Sequence, residues 1–360
     1  MEAILVTLLI DAQEGRFVSI TDVPGAYLHA KMPEGKLVLM WLVGRFVDIM
    51  CKVNPEYKKY IRYKKGVKVL YLRVLRAIYG CLKSALLWYN LYSSTLQKMG
   101  FVLNPYDLCV ANNMIDGSQC TIAFYVDDNK ISHKNPAVVK KVIKEIESHF
   151  GKMTVDEGKN FNFLGMNITM RDDKKVEIEM KGQIREAIAW FGKPISEKPL
   201  TPANKNLFNS SQESPELDNK KSEVFLSIVQ KLLYITKLAQ PDVETPVSFL
   251  CTRVSKITKN NWLKLRRVLA FLQYTINDVC VIGADNLHTL LTWIDAAYGV
   301  HKIDLRSHTG GSMSMGTGTL HTIWTEQKLN VKSSTEVEIV GTSKYMPYNT
   351  WTQNFMEAQG

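Results

Sequence analysis

The stretch Tyr125-Val126-Asp127-Asp128 constrains the fold of this chain more than any other. An apolar, strand-like run from Cys120 to Phe124 precedes it, and Lys130-Ile131-Ser132-His133 follows. Two such runs separated by so few residues read as a hairpin with adjacent carboxylates at its tip. Flanking strands fix such a turn, and its carboxylates project where a divalent cation can bridge them to a polyphosphate. Taken alone, the residues also read as a plain hairpin turn, because Asp-Asp-Asn is ordinary turn chemistry. Upstream, Phe17-Val18-Ser19-Ile20-Thr21-Asp22 places a third carboxylate at the end of another strand-like run. A two-metal phosphoryl-transfer site needs such a ligand from a separate strand of the same sheet. Tyr27, five positions on, is an aromatic that could stack beneath the sugar of a nucleotide.

Composition bounds the rest. With 360 residues, 46% hydrophobic and 22% charged, the chain has the make-up of a soluble globular protein with one large core or several smaller ones. A net charge of +10 suits a phosphate-bearing partner. Basic and aromatic residues interleave in Tyr57-Lys58-Lys59-Tyr60-Ile61-Arg62-Tyr63-Lys64-Lys65, which reads equally as a track for a nucleic-acid strand or as a solvated loop. Cys51, Cys81, Cys109, Cys120, Cys251 and Cys280 show no zinc-ligand spacing and read as reduced core residues of an intracellular protein. No apolar run approaches the roughly 20 residues of a membrane span. The apolar start, residues 1–10, reads as a core helix or strand and not as a signal peptide.

Along the chain, Leu82, Leu86, Tyr89, Tyr92, Leu96 and Met99 recur at helical spacing, predicting a helix over 75–99 that Gly100 stops. A second helix is predicted over 136–150, with Val139, Val142, Ile143 and Ile146 on one face and lysines opposite. Strand, helix, hairpin, helix in that order predicts an α+β layer, with helices on one side of an antiparallel sheet. Val176-Glu177-Ile178-Glu179-Met180 alternates and predicts a strand. Residues 196–223 shift to Pro, Ser, Asn, Glu and Lys and read as a linker. Amphipathic helices are predicted over 222–238 and 259–276; in the second, the Trp262, Leu265, Leu269 and Leu272 stripe reads as core packing against a basic face of Lys264, Arg266 and Arg267.

Three motifs stand in order: Asp22 to Leu28, Ile78-Tyr79-Gly80 through Trp88-Tyr89, and Tyr125 to Asp128. On these the chain resembles the reverse transcriptase of copia-type LTR retrotransposon polyproteins. That family's pattern runs Asp-Val/Ile-x-x-Ala-Phe/Tyr-Leu, then Leu-Tyr-Gly with Trp-Tyr downstream, then Tyr-Val-Asp-Asp. Phe163-Leu164-Gly165 matches the element that follows its palm. The resemblance implies an α+β fold: a palm with antiparallel sheet and helices, a helical thumb or connection, and a partial RNase H-like α/β domain. The corresponding segments are 1–183, 184–283 and 284–360. It implies an RNA-directed DNA polymerase in which Asp22, Asp127 and Asp128 carry two Mg²⁺ ions, with Mn²⁺ an alternative. Tyr27 would lie under the sugar and exclude a 2′-hydroxyl; Gly80 and Tyr125 are the other substrate-binding candidates. Lys152 and Lys159 are candidates to protonate pyrophosphate. The implied partners are an RNA or DNA template with primer and a dNTP, with no membrane. The implied location is cytoplasmic, in a particle, or nuclear.

The last segment carries a second candidate site. Asp295 ends a strand-like run, Ser307-His308-Thr309-Gly310-Gly311 and Gly316-Thr317-Gly318 punctuate two more, and Ser333-Ser334-Thr335-Glu336-Val337-Glu338 follows. By resemblance to an RNase H domain, Asp295 and Glu338 are its first two metal-binding carboxylates. Thr335 and Glu338 also read as a capping box, with Thr335 at N-cap. RNase H cleavage needs a third carboxylate beyond this helix, so the module is read as incomplete and inactive. Only 21 residues precede Asp22, with Arg16 the sole basic one, so most of the fingers are read as absent. The chain therefore reads as a piece of a polyprotein. Against the polymerase stands a second reading: a catalytically inactive remnant that at most binds nucleic acid.

Overall fold

The computed structural model describes residues 2–209, 214–301 and 305–360. Its centre is a six-stranded antiparallel sheet, ordered Val102–Asn104, Asp107–Ile115, Ser118–Tyr125, Asp128–His133, Phe17–Asp22 and Thr154–Glu157. On one face lie the helices Ser84–Lys98 and Pro136–Phe150, which bury Trp88, Tyr92, Leu96, Val139, Ile143 and Ile146 against Ile122 and Ile131. The second face is covered too. Helix Glu2–Glu14 packs there, where Val18, Ile20, Val110 and Ala123 join its core. The expectation of helices on one side is corrected, and the cause is visible in the Phe17–Asp22 strand, whose four inner residues are all buried. Helix Glu2–Glu14 is apolar nearly all round because it has partners all round.

Its far side meets a second sheet, ordered Asn160–Phe163, Met166–Met170, Lys175–Glu179, Cys280–Ala284 and Gly316–Thr317. This sheet draws its strands from residues 160–179, 280–284 and 316–317, so the three sequence segments share one core. Helices Lys181–Phe191, Asn219–Leu238, Glu244–Cys251 and Lys259–Tyr274 pack beside it. In the last of these, Leu265, Leu269 and Leu272 are buried as their spacing predicts. A three-stranded sheet, Leu291–Ala297, His308–Ser314 and His321–Glu326, then packs under the long helix Ser334–Gln359.

Two expectations shift. The helix predicted over 75–99 begins only at Ser84. Gly80 stands at φ +91°, in a turn closed by Cys81 N–H and Ser84 Oγ–H on the Ile78 carbonyl. Residues 30–74, for which no helix or strand is expected, form a small subdomain. Its sheet runs Leu39–Val43, Val67–Arg73, Arg62–Lys64, and helix Arg45–Val53 covers one face over Val47, Cys51 and Leu70. Among the described residues no helix is long and apolar enough to cross a membrane.

Candidate active site

The hairpin at Tyr125 is tighter than its carboxylates suggest. Tyr125 pairs with Asp128, leaving Val126 and Asp127 as the two turn residues. Val126 adopts φ +58°, a conformation that costs a β-branched residue strain unless its surroundings hold it there. They do. Buried Trp88 donates its indole N–H to the Val126 carbonyl at 2.6 Å, and the Val23 N–H donates to the Asp127 carbonyl at 2.9 Å. Below the turn, Tyr92 Oη–H donates to Asn129 Oδ1 at 2.6 Å, and Asn129 Nδ2 reaches Thr21 Oγ1 at 3.3 Å, stitching the two carboxylate-bearing strands together.

Those strands are neighbours in the sheet, and Asp22 is the register partner of Asp128. Facing residues of an antiparallel pair have Cα atoms only about 4.5–5.5 Å apart, and Asp127 is the next residue along. Three carboxylates therefore share one sheet end, all half-buried. Partial burial, and then the charge of Asp127, hold the Asp22 carboxyl above its usual range. Burial, then Asp127 and Asp22, do the same to Asp128. Among the described residues none of the three is paired with a Lys, Arg or His. Nor do three Asp, Glu, His or Cys side chains converge to metal-binding range as they stand. The all-oxygen donor set suits a hard divalent cation. Tyr79 reaches in as well. Its hydroxyl donates to Asp127 Oδ2 at 3.3 Å, and its ring lies 4.5 Å from that of Tyr27, on the short helix Ala26–His29.

The family profile of reverse transcriptase (RNA-dependent DNA polymerase) matches residues 1–202, which contain this whole arrangement. The chain belongs to the reverse transcriptase family. It is 28% identical over 274 residues to a putative transposon Ty5-1 protein of Saccharomyces cerevisiae, covering 74% of this chain and 86% of that protein. The Ty1-DR6 Gag-Pol polyprotein of the same yeast is 21% identical over 96% of this chain. A retrovirus-related Pol polyprotein from transposon RE1 of Arabidopsis thaliana is 23% identical over 91%. The chain spans only 19% and 21% of those two polyproteins. The chain is thus similar to the reverse transcriptase region of copia-type retrotransposon polyproteins.

The other candidates are placed as follows. Gly80 owes its identity to its backbone, since a Cβ there would meet nothing within 4 Å while φ is +91°. Tyr125 is exposed beside the turn, and Tyr234 of helix Asn219–Leu238 approaches it. Burial, then Tyr125 and Asp128, raise the Tyr234 hydroxyl above its usual range, and that hydroxyl donates to the Leu164 carbonyl at 2.7 Å. Tyr234 escaped the sequence reading because its spacing fits an ordinary amphipathic helix. Tyr79 lies inside the Ile78-Tyr79-Gly80 motif, of which only Gly80 stood out as a candidate. Thr154 pairs with Asp22, which puts Lys152 just past that end of the sheet, whereas Lys159 is engaged by Asp172.

At the second candidate site Asp295 lies on the first strand of the three-stranded sheet, in a register row with Gly310 and Trp324. The neighbouring row, Ile294, Gly311 and Ile323, faces helix Ser334–Gln359, since a Cβ on Gly311 would strike the Tyr345 ring. Alternation therefore puts Asp295 on the face away from that helix. The capping box is also corrected. Ser333, not Thr335, is the N-cap: its Oγ accepts from Glu336 N–H at 3.2 Å, and Glu336 Oε2 accepts from Lys332 N–H at 2.7 Å. Glu338 takes no part in the cap and is exposed in the second turn.

Proposed function

We propose that this chain is the core of an RNA-directed DNA polymerase that joins a dNTP to a primer 3′-hydroxyl. The observation that carries the reading is the facing register of Asp22 and Asp128 with Asp127 at the adjoining turn, within a reverse transcriptase match. Asp22, Asp127 and Asp128 would hold two Mg²⁺ ions, which in such sites lower the pKa of the attacking hydroxyl and neutralise the phosphates. The chain's own residues supply positioning. Trp88 and Val23 hold the turn from either side, so that Asp127 and Asp128 are presented from a fixed backbone. The Tyr27 ring, backed by Tyr79, forms a floor beside Asp127 on which a sugar can rest, and its bulk excludes a 2′-hydroxyl. Tyr79 donates to Asp127 and so restricts how that carboxylate turns.

The test is primer extension on an RNA template with Mg²⁺ or Mn²⁺. Asp127→Asn is expected to abolish extension while leaving primer–template affinity within about twofold, because the substitution alters no phosphate contact. Extension that survives Asp127→Asn would remove these carboxylates from the mechanism. A wild-type chain that binds in a salt-sensitive way but never extends would establish the inactive remnant instead.

A further inference from the structure

We propose that the hollow between the first and last helices is a binding site for a small amphiphilic amine, an apolar body carrying one protonated nitrogen. The hollow measures about 770 Å³ and lies where helices Glu2–Glu14 and Ser334–Gln359 meet residues 287–290. Sites for drug-sized molecules span roughly 300–1,000 Å³, so the volume is in range. Its apolar walls are Ile10, Leu287, Leu290, Met315, Met346 and Met356. Ile10 and Met315 are buried, Leu287, Leu290 and Met356 are half-buried, and Met346 is exposed. Water between such walls finds few of the roughly 2–4 polar partners it needs, so an apolar body displaces it at little cost. The unbranched methionines let half of the wall adapt to the shape of what enters.

Charge selects the head group. Among the described residues no Lys or Arg lines the hollow, and its two acidic side chains, Glu14 and Glu357, differ in company. Glu14 is held by Arg16 at 3.0 Å and Lys134 at 3.5 Å. Glu357 is exposed, directly follows Met356, and accepts from the uncharged Gln353 Nε2 at 3.1 Å. Among the described residues no Lys or Arg pairs with it. An anionic head group would meet carboxylates with no lining cation to offset them, and a neutral one would forgo a charge-assisted hydrogen bond. An ammonium at Glu357, with its apolar body across Met356, satisfies both surfaces.

The hollow is remote from the aspartates. Gln119, which also lines it, and Tyr125 stand near opposite ends of the strand Ser118–Tyr125, about 20 Å apart. Amine binding is therefore independent of the polymerase reading. Helix Glu2–Glu14 packs on the six-stranded sheet and helix Ser334–Gln359 on the three-stranded one, so a ligand between them touches both halves of the molecule. Binding only to the folded chain, it raises the melting temperature with concentration.

Calorimetry and methyl spectra of the full chain, with its methionine methyls isotopically labelled, test this with dodecylamine, dodecanol and dodecanoate below their micelle concentrations. Dodecylamine is expected to bind saturably, one per chain. It should move the Met315, Met346 and Met356 methyls and leave Met40 and Met50 of the small subdomain in place. Dodecanoate should bind at least about tenfold more weakly. Glu357→Gln is expected to weaken dodecylamine about 3- to 10-fold and dodecanol by less than about twofold. Leu290→Trp, which fills the hollow, should abolish binding of all three; should that variant misfold, the methyl shifts of the unmutated chain decide. Dodecanoate binding as tightly as dodecylamine overturns the proposal, as does unsaturable uptake or a set of shifts that spares the three methionines. Asp127→Asn should bind dodecylamine as the wild type does. An affinity that falls in that variant would place the amine at the polymerase site and overturn the proposal, whereas binding without primer extension in the wild type sinks only the polymerase.

Discussion

Lys130 shows how much a single residue beside the candidate site is asked to bear. It follows Asp128 by two positions on the same strand, is fully buried, and points at Asp11 of helix Glu2–Glu14. Burial draws its ammonium below the usual lysine range, against the opposing pull of Asp11. Arg16 approaches the same carboxylate at 3.9 Å and also grips Thr121 and Gln119 of the sheet. A buried pair adds little net stability relative to apolar residues, yet breaking one side strands a charge. Lys130→Met is therefore expected to lower unfolding free energy by about 3–5 kcal/mol. Asp11→Leu with Lys130→Met should recover most of that loss in urea titration. A single variant as stable as wild type would show that water, not Asp11, solvates this lysine. The Tyr-Val-Asp-Asp motif was legible from sequence, but its support was not. Lys130, Trp88 and Asn129 act through partners 119, 38 and 37 positions away, and periodicity carries no trace of such pairings.

At the scale of elements, legibility followed how far each segment's pattern was local. Helix Pro136–Phe150 has an Asn135 cap, a proline at its start and a clean apolar face, and was readable to the residue. The strands Leu39–Val43 and Arg62–Lys64 were not, since one is apolar throughout and the other wholly exposed, so neither alternates. Gly310 and Gly311 looked like punctuation and are mid-strand. Their reason is space on two faces at once. A Cβ on Gly310 would stand 2.2 Å from the Trp324 ring, and one on Gly311 would stand 2.2 Å from the Tyr345 ring. Tyr345, on the sheet-facing side of the long helix, is fully buried and hydrogen-bonded to His321, so it has nowhere to go. Gly311→Ala is expected to destabilise by roughly 1–3 kcal/mol through overpacking, seen as a lowered denaturation midpoint. Gly310→Ala should be milder and largely rescued by Trp324→Leu. A neutral Gly311→Ala would mean the helix can lift from the sheet at no cost.

Over the whole molecule, the two ends of the chain meet the middle at buried polar contacts, which only the folded arrangement could reveal. Gln359 at the end of the last helix bonds Asn104 and Asn112 of the six-stranded sheet. Buried His321 lies 3.5 Å from Glu2 of the first helix, bonds Tyr345 at 3.1 Å and stacks on Tyr348. His308 is buried against His301 and Phe208, and among the described residues its Nε2 meets no hydrogen-bond partner. Burial, then Lys237, pushes the His321 imidazolium down to about 4 despite the attraction of Glu2. Burial, then His301 and Lys344, pushes His308 down to about 3. Unfolded, both would titrate near 6.5. The sign follows: the unfolded chain binds protons that the folded one refuses, so the contribution of both groups is complete above about pH 6.5 and is lost as pH falls towards 4 and then 3. Between about pH 6.5 and 5 ordinary carboxylates are still ionised, which leaves that interval to the histidines. Melting temperature should be flat above pH 7 and fall through this interval. His321→Gln and His308→Gln should each be less stable at pH 7.5 yet show a shallower fall. A profile equally steep in the double variant would assign the acid sensitivity to carboxylates and leave both imidazoles without effect on the joining of the chain's ends.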